Sequence, residues 1–371
     1  MLGLIFAAIM SATNVFTDIS RKKVLDRGYD AILISFWCKV VAFGAYGGGM
    51  VVLLFLGSSP VLPNLGGSFG LSPAVAFTLY LLLNMVLEGT AIILNLRALQ
   101  VSPISLCMPF MALTPLFLLS AGKIFLGEQI SSGMVVGVSL IVVGSMVVNR
   151  QLFAKGFWEP AKAIMREKGS RYMTIVALLL TFTNVLDKWF VSSGGGDVVM
   201  AERLSRAFTL SLGKCCMQGL FFAGLFLFRS RLFPQKDSGQ PKLCWCNVWR
   251  DVPRWLIFAG FLEAGVLVLQ LLAMQFTVAA LVISIKRAGI ILAVILGWFI
   301  FKERGIRDRV IASCVMLAGV LIFFLTKPDA NGVAALGLSG ALTVAGLALA
   351  GLTVALVLTH TPAVLEGKGK Q

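Results

Sequence analysis

The chain is 371 residues long, 58% of its residues are hydrophobic, and only 13% are charged, against roughly 25% in an average soluble domain. With a mean hydropathy of +0.91, these values exclude an ordinary soluble domain and predict an integral membrane protein. The net charge of +15 does not indicate nucleic-acid binding, because the basic residues cluster in loops between apolar stretches, as membrane topology requires.

Apolar windows of about 20 residues, the length that a membrane-spanning helix needs, recur along the whole chain. They predict an all-α membrane protein with ten transmembrane spans and an extra span at the C-terminus. The windows lie near residues 2–19, 31–56, 74–98, 103–121, 133–149, 172–190, 206–228, 255–275, 278–300, 308–326 and 333–358.

Spans six to ten repeat spans one to five, and the repeat is clearest at polar positions. The matched pairs are Lys39/Lys214, Glu88/Glu263 and Asn95/Gln270 at an offset of 175, and Asn14/Asn184 at an offset of 170. We therefore predict two copies of one five-helix unit. The predicted segments are a first repeat at 1–149, a basic amphipathic linker at 150–171, a second repeat at 172–326, and an extra helix with a short tail at 327–371. An odd number of spans in each copy inverts the second copy in the membrane.

Two ionisable residues in the first repeat are expected at a similar depth in the membrane. Lys39 lies about 13 Å into the second span at 1.5 Å per residue, and Glu88 lies in the antiparallel third span. They could form a buried ion pair that neutralises both charges. Alternatively, they mark a transport path, in which a protonatable glutamate could also serve proton coupling.

Amide side chains accompany these charges on the spans. Asn84, Glu88 and Asn95 share one helical face, at spacings of four and seven residues. Asn14 and Asn184 either join helices by interhelical hydrogen bonds or contribute to a substrate site. Glu128, at a helix end, is expected to form a cap or loop contact.

The ninth span carries two adjacent cations, Lys286 and Arg287, where the fourth span has an apolar pair. Charges inside a span are costly unless they are paired or hydrated. One interpretation is an anion-binding cluster with Lys214 and Glu263. The other is that Arg287 binds freed backbone carbonyls or pairs with Glu263.

The doubled five-span unit resembles the drug/metabolite transporter superfamily, EamA type. The resemblance covers about residues 1–326 and includes Gly-Lys-Ile-Phe-Leu-Gly-Glu at 122–128 and Gly-Trp-Phe-Ile-Phe-Lys-Glu at 297–303. Lys286-Arg287 also resembles a Lys-Arg pair in phosphate/sugar-phosphate translocators, where it contacts the substrate phosphate. The superfamily resemblance implies secondary transport by rocking around a midplane site between two inverted repeats, and the chain contains no Walker A motif.

We therefore expect a secondary transporter for a small polar, anionic metabolite, because more cations than acids lie inside the spans. The predicted substrate-binding residues are Lys286, Arg287, Lys214, Lys39, Glu88, Glu263, Asn14, Asn184, Asn95 and Gln270. The alternatives are an exporter of amino acids or cationic drugs by proton exchange, and a lipid-phosphate carrier. The sole histidine, His360, lies in the tail, and we expect neither an enzyme nor a cofactor or metal.

The predicted partners are the small-molecule substrate and the lipid bilayer, and a homodimer is compatible with the sequence. The cell membrane (plasma or inner) is the expected location, with an organellar membrane as the alternative. Lys and Arg are enriched in the loops after odd-numbered spans. This enrichment places the N-terminus outside by the positive-inside rule, whereas the family resemblance implies cytosolic termini.

Overall fold

A computed structural model describes residues 2–25, 31–57, 59–60, 72–101, 113–148, 168–192, 199–228, 253–289, 292 and 306–326. Within these ranges the regular structure is α-helical and contains no β-strand, which confirms the all-α prediction. Three predicted features lie wholly or largely outside them: the linker at 150–171, the motif at 297–303, and the extra helix of 327–371.

Each of the ten predicted repeat spans overlaps one helix in the described part of the chain. The helices are α1 (Leu2–Leu25), α2 (Ala31–Phe55), α3 (Pro73–Val101), α4 (Thr114–Leu126), α5 (Ser132–Val148), α6 (Lys168–Ser192), α7 (Met200–Leu227), α8 (Pro253–Phe276), α9 (Ala279–Ala288) and α10 (Ile306–Leu325).

Six of these helices, α1, α2, α3, α6, α7 and α8, are long and apolar enough to cross a membrane. They correspond to the first three spans of each predicted repeat. Large apolar side chains such as Ile5, Phe43 and Phe261 are exposed on them, as expected for surfaces that face lipid. Shorter apolar helices occur in α4, α5 and α10. The protein is therefore a multi-pass, all-α membrane protein.

The chain divides into two compact units, and each unit takes residues from both predicted repeats. The first unit consists of Met1–Ile92 and Phe182–Val282, and the second consists of Ile93–Thr181 and Ile283–Gln371. Each unit is therefore assembled from segments that are far apart in sequence.

In the first unit, α1 packs along α8, and α2 packs against both α7 and α8. A core cluster that includes Val24, Leu33, Cys38 and Leu256 joins the end of α1 to the beginnings of α2 and α8. These side chains are fully buried. The apolar contacts thus hold helices from both predicted repeats around the charged side chains described below.

In the second unit, α5 and α10 make a very close backbone contact at glycines. A Cβ atom added to Gly137 would lie 2.7 Å from the backbone oxygen of Gly319, and one added to Gly319 would lie 2.6 Å from the oxygen of Gly137. Small residues of this kind let two membrane helices approach closely. The Ser131 hydroxyl also donates a hydrogen bond to the carbonyl of Thr326 at 2.6 Å, beside the start of α5.

The Gly-Lys-Ile-Phe-Leu-Gly-Glu motif ends α4 in a tight turn. Gly127 adopts a left-handed conformation (φ 64°), and its N–H donates to the carbonyl of Gly122. A side chain on Gly122 would collide with the carboxylate of Glu128, 2.5 Å away. Glu128 therefore folds back over the end of α4, the loop contact that the sequence favoured.

We expect Gly137→Ala to destabilise the protein by about 1–3 kcal/mol, the usual cost of overpacking, because its Cβ would meet the backbone of Gly319 and Phe323. The matched control is Gly224→Ala, whose Cβ would have no neighbour within 4 Å. It should be neutral or stabilising, because alanine favours helix over glycine. Thermal unfolding in detergent would measure both variants, and equal melting temperatures would contradict the close approach of α5 and α10.

Candidate functional site

The charged side chains inside the spans of the first unit form two separate contact clusters. We call Arg21, Lys39 and Glu263 the Glu263 cluster, and we call Glu88, Asp187 and Lys214 the Asp187 cluster. All six residues belong to helices that are long and apolar enough to cross a membrane. Charges in such positions are rare, because each must be paired or hydrated, and they commonly mark functional sites.

In the Glu263 cluster, one carboxylate is shared between two cations from different helices. Nζ of Lys39 on α2 lies 2.7 Å from Oε1 of Glu263 on α8. Nη2 of Arg21 on α1 lies 2.5 Å from Oε2 of the same carboxylate. The three groups in contact therefore carry one excess positive charge. Asp18, one turn earlier on α1, is exposed and accepts a hydrogen bond from Asn14 at 3.2 Å.

In the Asp187 cluster the balance is reversed, because two carboxylates share one lysine. Nζ of Lys214 on α7 lies 2.7 Å from Oδ2 of Asp187 on α6 and 2.9 Å from Oε1 of Glu88 on α3. The side chains of Lys214 and Asp187 are each only 3% exposed, whereas that of Glu88 is 16% exposed. The three groups in contact carry one excess negative charge.

Neutral donors complete the environment of Asp187. Its Oδ1 accepts a 2.6 Å hydrogen bond from the Tyr80 hydroxyl and a 3.1 Å bond from the Asn84 amide, both on α3. Lys214 donates to Oδ1 as well, at 3.0 Å. The ring of Tyr80 packs on Phe190, with centroids 5.1 Å apart. Three side chains therefore donate to this buried carboxylate, and charge-assisted hydrogen bonds of this kind are the strong ones.

The sequence-based pairing of Lys39 with Glu88 is wrong, although both residues do form ion pairs. Lys39 pairs with Glu263, and Lys214 pairs with Glu88. The physical reason is helix packing, since α2 lies against α7 and α8, which brings the Glu263 carboxylate within reach of Lys39. Each lysine thus reaches a glutamate from the other predicted repeat.

The two lysines lie on neighbouring helices at the same level. Lys214 precedes Cys215 on α7, and the Cys215 thiol donates to the Lys39 carbonyl of α2 at 3.2 Å. From this crossing, Lys39 extends towards α8 and Lys214 extends towards α3 and α6. The contact between α2 and α7 therefore joins the helices that carry the lysines of the two clusters.

The structure brings two of the four predicted amide residues together. Gln270 on α8 donates to Oδ1 of Asn184 on α6 at 3.1 Å, in a buried interhelical hydrogen bond, as one interpretation of Asn184 predicted. Asn14 is half-buried and bonds within its own helix to Asp18. Asn95 belongs to the second unit. Its Oδ1 is buried without a hydrogen-bond partner among the described residues.

Lys286 and Arg287 belong to the second unit, and a role for them in anion binding stays a prediction. Both are half-buried. The helix α9 ends at Ala288 and the two cations occupy its last turn, while most of the remainder of the predicted span of 278–300 lies outside the described residues. Cations are favoured there by the negative end of the helix dipole, so part of the cost of burying them is offset locally.

Other cations near the clusters have structural partners. Nζ of Lys188 on α6 donates to the carbonyls of Met274 and Thr277, the latter at 2.8 Å, and so caps the end of α8. Arg203 and Gln275 bond to each other's backbone carbonyls. Lysine and arginine commonly satisfy the unpaired carbonyls at helix C-termini in this way, so these residues stabilise helix ends.

Sequence reasoning missed Asp187 and Arg21 as site residues. Both lie near the ends of their predicted spans, beside other charged residues. In the structure α1 extends to Leu25 and α6 to Ser192, so both side chains remain within the helical spans. The signal that could have found Asp187 is the apolar Trp189-Phe190-Val191 that follows it. No comparable signal distinguishes Arg21 from its basic neighbours.

Within the described ranges, no group of three or more His, Cys, Asp and Glu side chains could hold a metal ion. The described cysteines, Cys38, Cys215, Cys216 and Cys314, form no disulfides. The polar groups of the two clusters and their hydrogen-bond partners are amides, carboxylates, a phenol and basic side chains, which can bind ligands by charge and hydrogen bonding.

No family model matches this sequence, and no curated protein matches it either. Twenty-eight chains of solved structures match it in fold. One of them, described only as a crystal structure of a protein, is 15% identical with a TM-score of 0.59. The match covers 88% of this chain and 96% of that chain. This similarity shows a shared fold over most of the sequence.

The ion pair between Lys39 and Glu263 can be tested by exchanging charges. We expect Lys39→Glu to reduce folded protein strongly, because it leaves like charges in contact, where breaking a buried pair costs about 3–5 kcal/mol. Adding Glu263→Lys should restore much of the loss. The matched control adds Glu88→Lys to Lys39→Glu instead. The amount of protein that elutes as a single monodisperse peak in detergent would measure the recovery of folding. Equal recovery with Glu263→Lys and with Glu88→Lys would refute the pairing.

Proposed function

We propose that the protein is a secondary transporter of a small, polar, anionic metabolite, of the drug/metabolite transporter type. In this proposal the chain forms ten spans as two inverted five-helix repeats, with an extra helix at the C-terminus. The substrate site lies between helices of the two repeats, and rocking around that site opens it to each side of the membrane in turn. The membrane is the plasma or inner membrane of the cell.

The exchange of partners between the two ion pairs supports the inverted repeat. Lys39 corresponds to Lys214 and Glu88 corresponds to Glu263 at the same offset in sequence. The contacts Lys39–Glu263 and Lys214–Glu88 therefore convert into each other when the two copies are exchanged, as a two-fold axis between them would require. The packing of α2 on α7 within the first unit and of α5 on α10 within the second also joins corresponding spans of the two predicted repeats.

The observation that carries the choice of an anionic substrate is the excess positive charge of the Glu263 cluster. Arg21 and Lys39 share a single carboxylate within the spans. Two cations with one carboxylate in direct contact are costly within a span, and Asp18, the next acid along α1, is exposed. A substrate carboxylate or phosphate beside these residues would complete two pairs of opposite charges. Arg21 and Lys39 would then be the primary ligands of the anion, with Glu263 holding both side chains in position.

Arg21 has unused capacity to donate hydrogen bonds. Its Nε–H is buried and has no hydrogen-bond partner among the described residues, while its side chain as a whole is 32% exposed. A buried donor without an acceptor costs about 1–3 kcal/mol. The planar guanidinium matches the two oxygens of a carboxylate or phosphate. A bound anion would satisfy this donor and neutralise the excess charge in one step.

A second candidate, an exporter of amino acids or cationic drugs by proton exchange, is favoured by the Asp187 cluster. Its two carboxylates exceed its single lysine by one negative charge, which suits a positively charged group. The two candidates differ in the sign of the ligand. Competition of labelled substrate by organic anions supports the first candidate, and competition by organic cations alone supports the second.

We expect purified protein in liposomes to accumulate a subset of labelled mono- and dicarboxylates or phosphate esters. Arg21→Gln should raise KM for such an anion by about 10- to 100-fold, because a charge-assisted hydrogen bond contributes about 1.5–3 kcal/mol. Arg21→Lys, which keeps the charge but loses the planar pair of donors, should be intermediate. Initial rates of uptake over a range of anion concentrations would give these values.

Lys123→Gln is the matched control, since it also removes one positive charge from a helix but from an exposed side chain at the end of α4. Its KM should equal that of the unmodified protein. Saturable flux of neutral or cationic solutes only, with no inhibition by any anion tested, would reject the proposed substrate class. A KM unchanged by Arg21→Gln would reject Arg21 and Lys39 as its ligands.

A further inference from the structure

The three carboxylates of the two clusters are not held equally. Glu263 accepts from two cations, Arg21 at 2.5 Å and Lys39 at 2.7 Å. Asp187 accepts from Lys214 through both of its oxygens and, in addition, from Tyr80 and Asn84. Each of these two anions has several donors that would lose their acceptor if the carboxylate became neutral.

Glu88 is held by a single contact. Among the described residues its partner is Nζ of Lys214, 2.9 Å from Oε1, and that ammonium also binds both oxygens of Asp187. The side chain of Glu88 is 16% exposed, compared with 3% for Asp187. Of the three carboxylates, Glu88 is thus the one that can lose its charge at the smallest cost in hydrogen bonds, while its exposure is close to the 15% of Glu263.

The charge balance of the Asp187 cluster also favours Glu88 as the carboxylate that loses its charge. With Glu88 ionised, two carboxylates compete for one ammonium and the three groups in contact carry one excess negative charge. With Glu88 protonated, Lys214 and Asp187 remain as a balanced pair that keeps all of its hydrogen bonds. Two carboxylates that share one site commonly resolve their repulsion by protonation of one of them. Asp187 has more donors than Glu88, so protonating Glu88 costs fewer hydrogen bonds.

We propose that Glu88 is the proton-binding residue of the transporter and that it releases its contact with Lys214 when it takes up a proton. This proposal rests on the proposed transport function and adds the coupling ion, a proton that moves with the anion. The anion neutralises the excess positive charge of the Glu263 cluster, and the proton neutralises the excess negative charge of the Asp187 cluster. Loading both would leave no net charge in either set of contacting groups.

The surroundings of Glu88 favour a proton over a metal cation. Alkali and alkaline-earth ions need several oxygen ligands at once. The oxygens of Asp187 are already occupied by Lys214, Tyr80 and Asn84. No set of three or more acidic, histidine or cysteine side chains in the described ranges could provide a metal site. One carboxylate facing an ammonium is sufficient for a proton and insufficient for a metal ion.

The charged and titratable groups facing Glu88 are Lys214 from α7, Asp187 from α6, and Tyr80 on its own helix. Next to it, Gly89 leaves room for Phe221 of α7, whose ring would collide with any side chain at that position. When a proton binds, an O–H bond forms on the carboxylate and the Glu88–Lys214 ion pair breaks, while Lys214 stays on Asp187. When the proton leaves, the pair forms again.

The first test needs no substrate. Infrared difference spectra of the protein in liposomes, between neutral and mildly acidic buffer, report carboxylic acids through the C=O stretch that appears on protonation. We expect such a band in the unmodified protein and its loss in Glu88→Gln. Asp187→Asn should weaken the band or move its appearance to more acidic buffer, because Glu88 is then the single carboxylate beside Lys214. The band should persist in Glu202→Gln, a matched control, because Glu202 too has a single cationic partner, Arg206 at 2.5 Å.

Persistence of the whole band in Glu88→Gln, or its absence from the unmodified protein, overturns the proposal. Should Glu88→Gln fail to assemble, Glu88→Asp provides the answer, because an aspartic acid in place of a glutamic acid shifts the band. An unchanged band in Glu88→Asp likewise overturns the assignment. These outcomes are independent of transport, so a failure of the proposed function and a failure of this inference remain distinguishable.

The second test uses whichever labelled carboxylate or phosphate ester the liposomes accumulate. An inward proton gradient should accelerate uptake in the unmodified protein, and a pH dye inside the liposomes should report acidification that depends on the anion. Glu88→Gln should lose both effects but still exchange labelled for unlabelled anion without a gradient. Gradient-driven uptake that survives in Glu88→Gln, or that depends on sodium instead, excludes Glu88 as the coupling residue.

Discussion

The structure of the first unit depends on the cost of placing charge inside a span, and on the way that neighbouring helices remove that cost. Lys39 and Lys214, on adjacent helices, are each neutralised by a glutamate of another helix. Removal of one partner would leave an uncompensated charge, which is far more costly than the absence of the pair. The ion pairs therefore specify which helices must be neighbours, while apolar contacts such as those around Cys38 and Leu256 supply the packing.

The two clusters have complementary imbalances, and this complementarity gives the site its chemical character. The Glu263 cluster has one cation in excess, and the Asp187 cluster has one carboxylate in excess. A site with two matched pairs alone would have little affinity for a charged ligand. In the proposed transporter, unequal sharing would let each cluster accept one opposite charge without disrupting the pairs that hold the helices together.

Much of this arrangement could be predicted from the sequence, because hydropathy and the spacing of charges are local properties. The positions of the helices followed from the apolar windows, and Lys39, Glu88, Lys214 and Glu263 were recognised as charges within spans. The choice of partner was wrong, since it depends on which helices pack together rather than on similar depth along neighbours in sequence. Asp187 was missed for a related reason: whether a residue near a span end lies at the surface depends on where its helix stops and on what packs there.

The end of α6 shows how much one helical turn can fix. Within five residues, Asn184 binds Gln270 of α8, Asp187 binds Lys214 of α7, and Lys188 binds the last carbonyls of α8. The side chain that holds the ammonium is therefore adjacent in sequence to the one that closes the neighbouring helix. Displacing the backbone of α6 at this turn would break an ion pair and a helix cap at the same time. A rearrangement of neighbouring side chains would break fewer contacts than a shift of this turn.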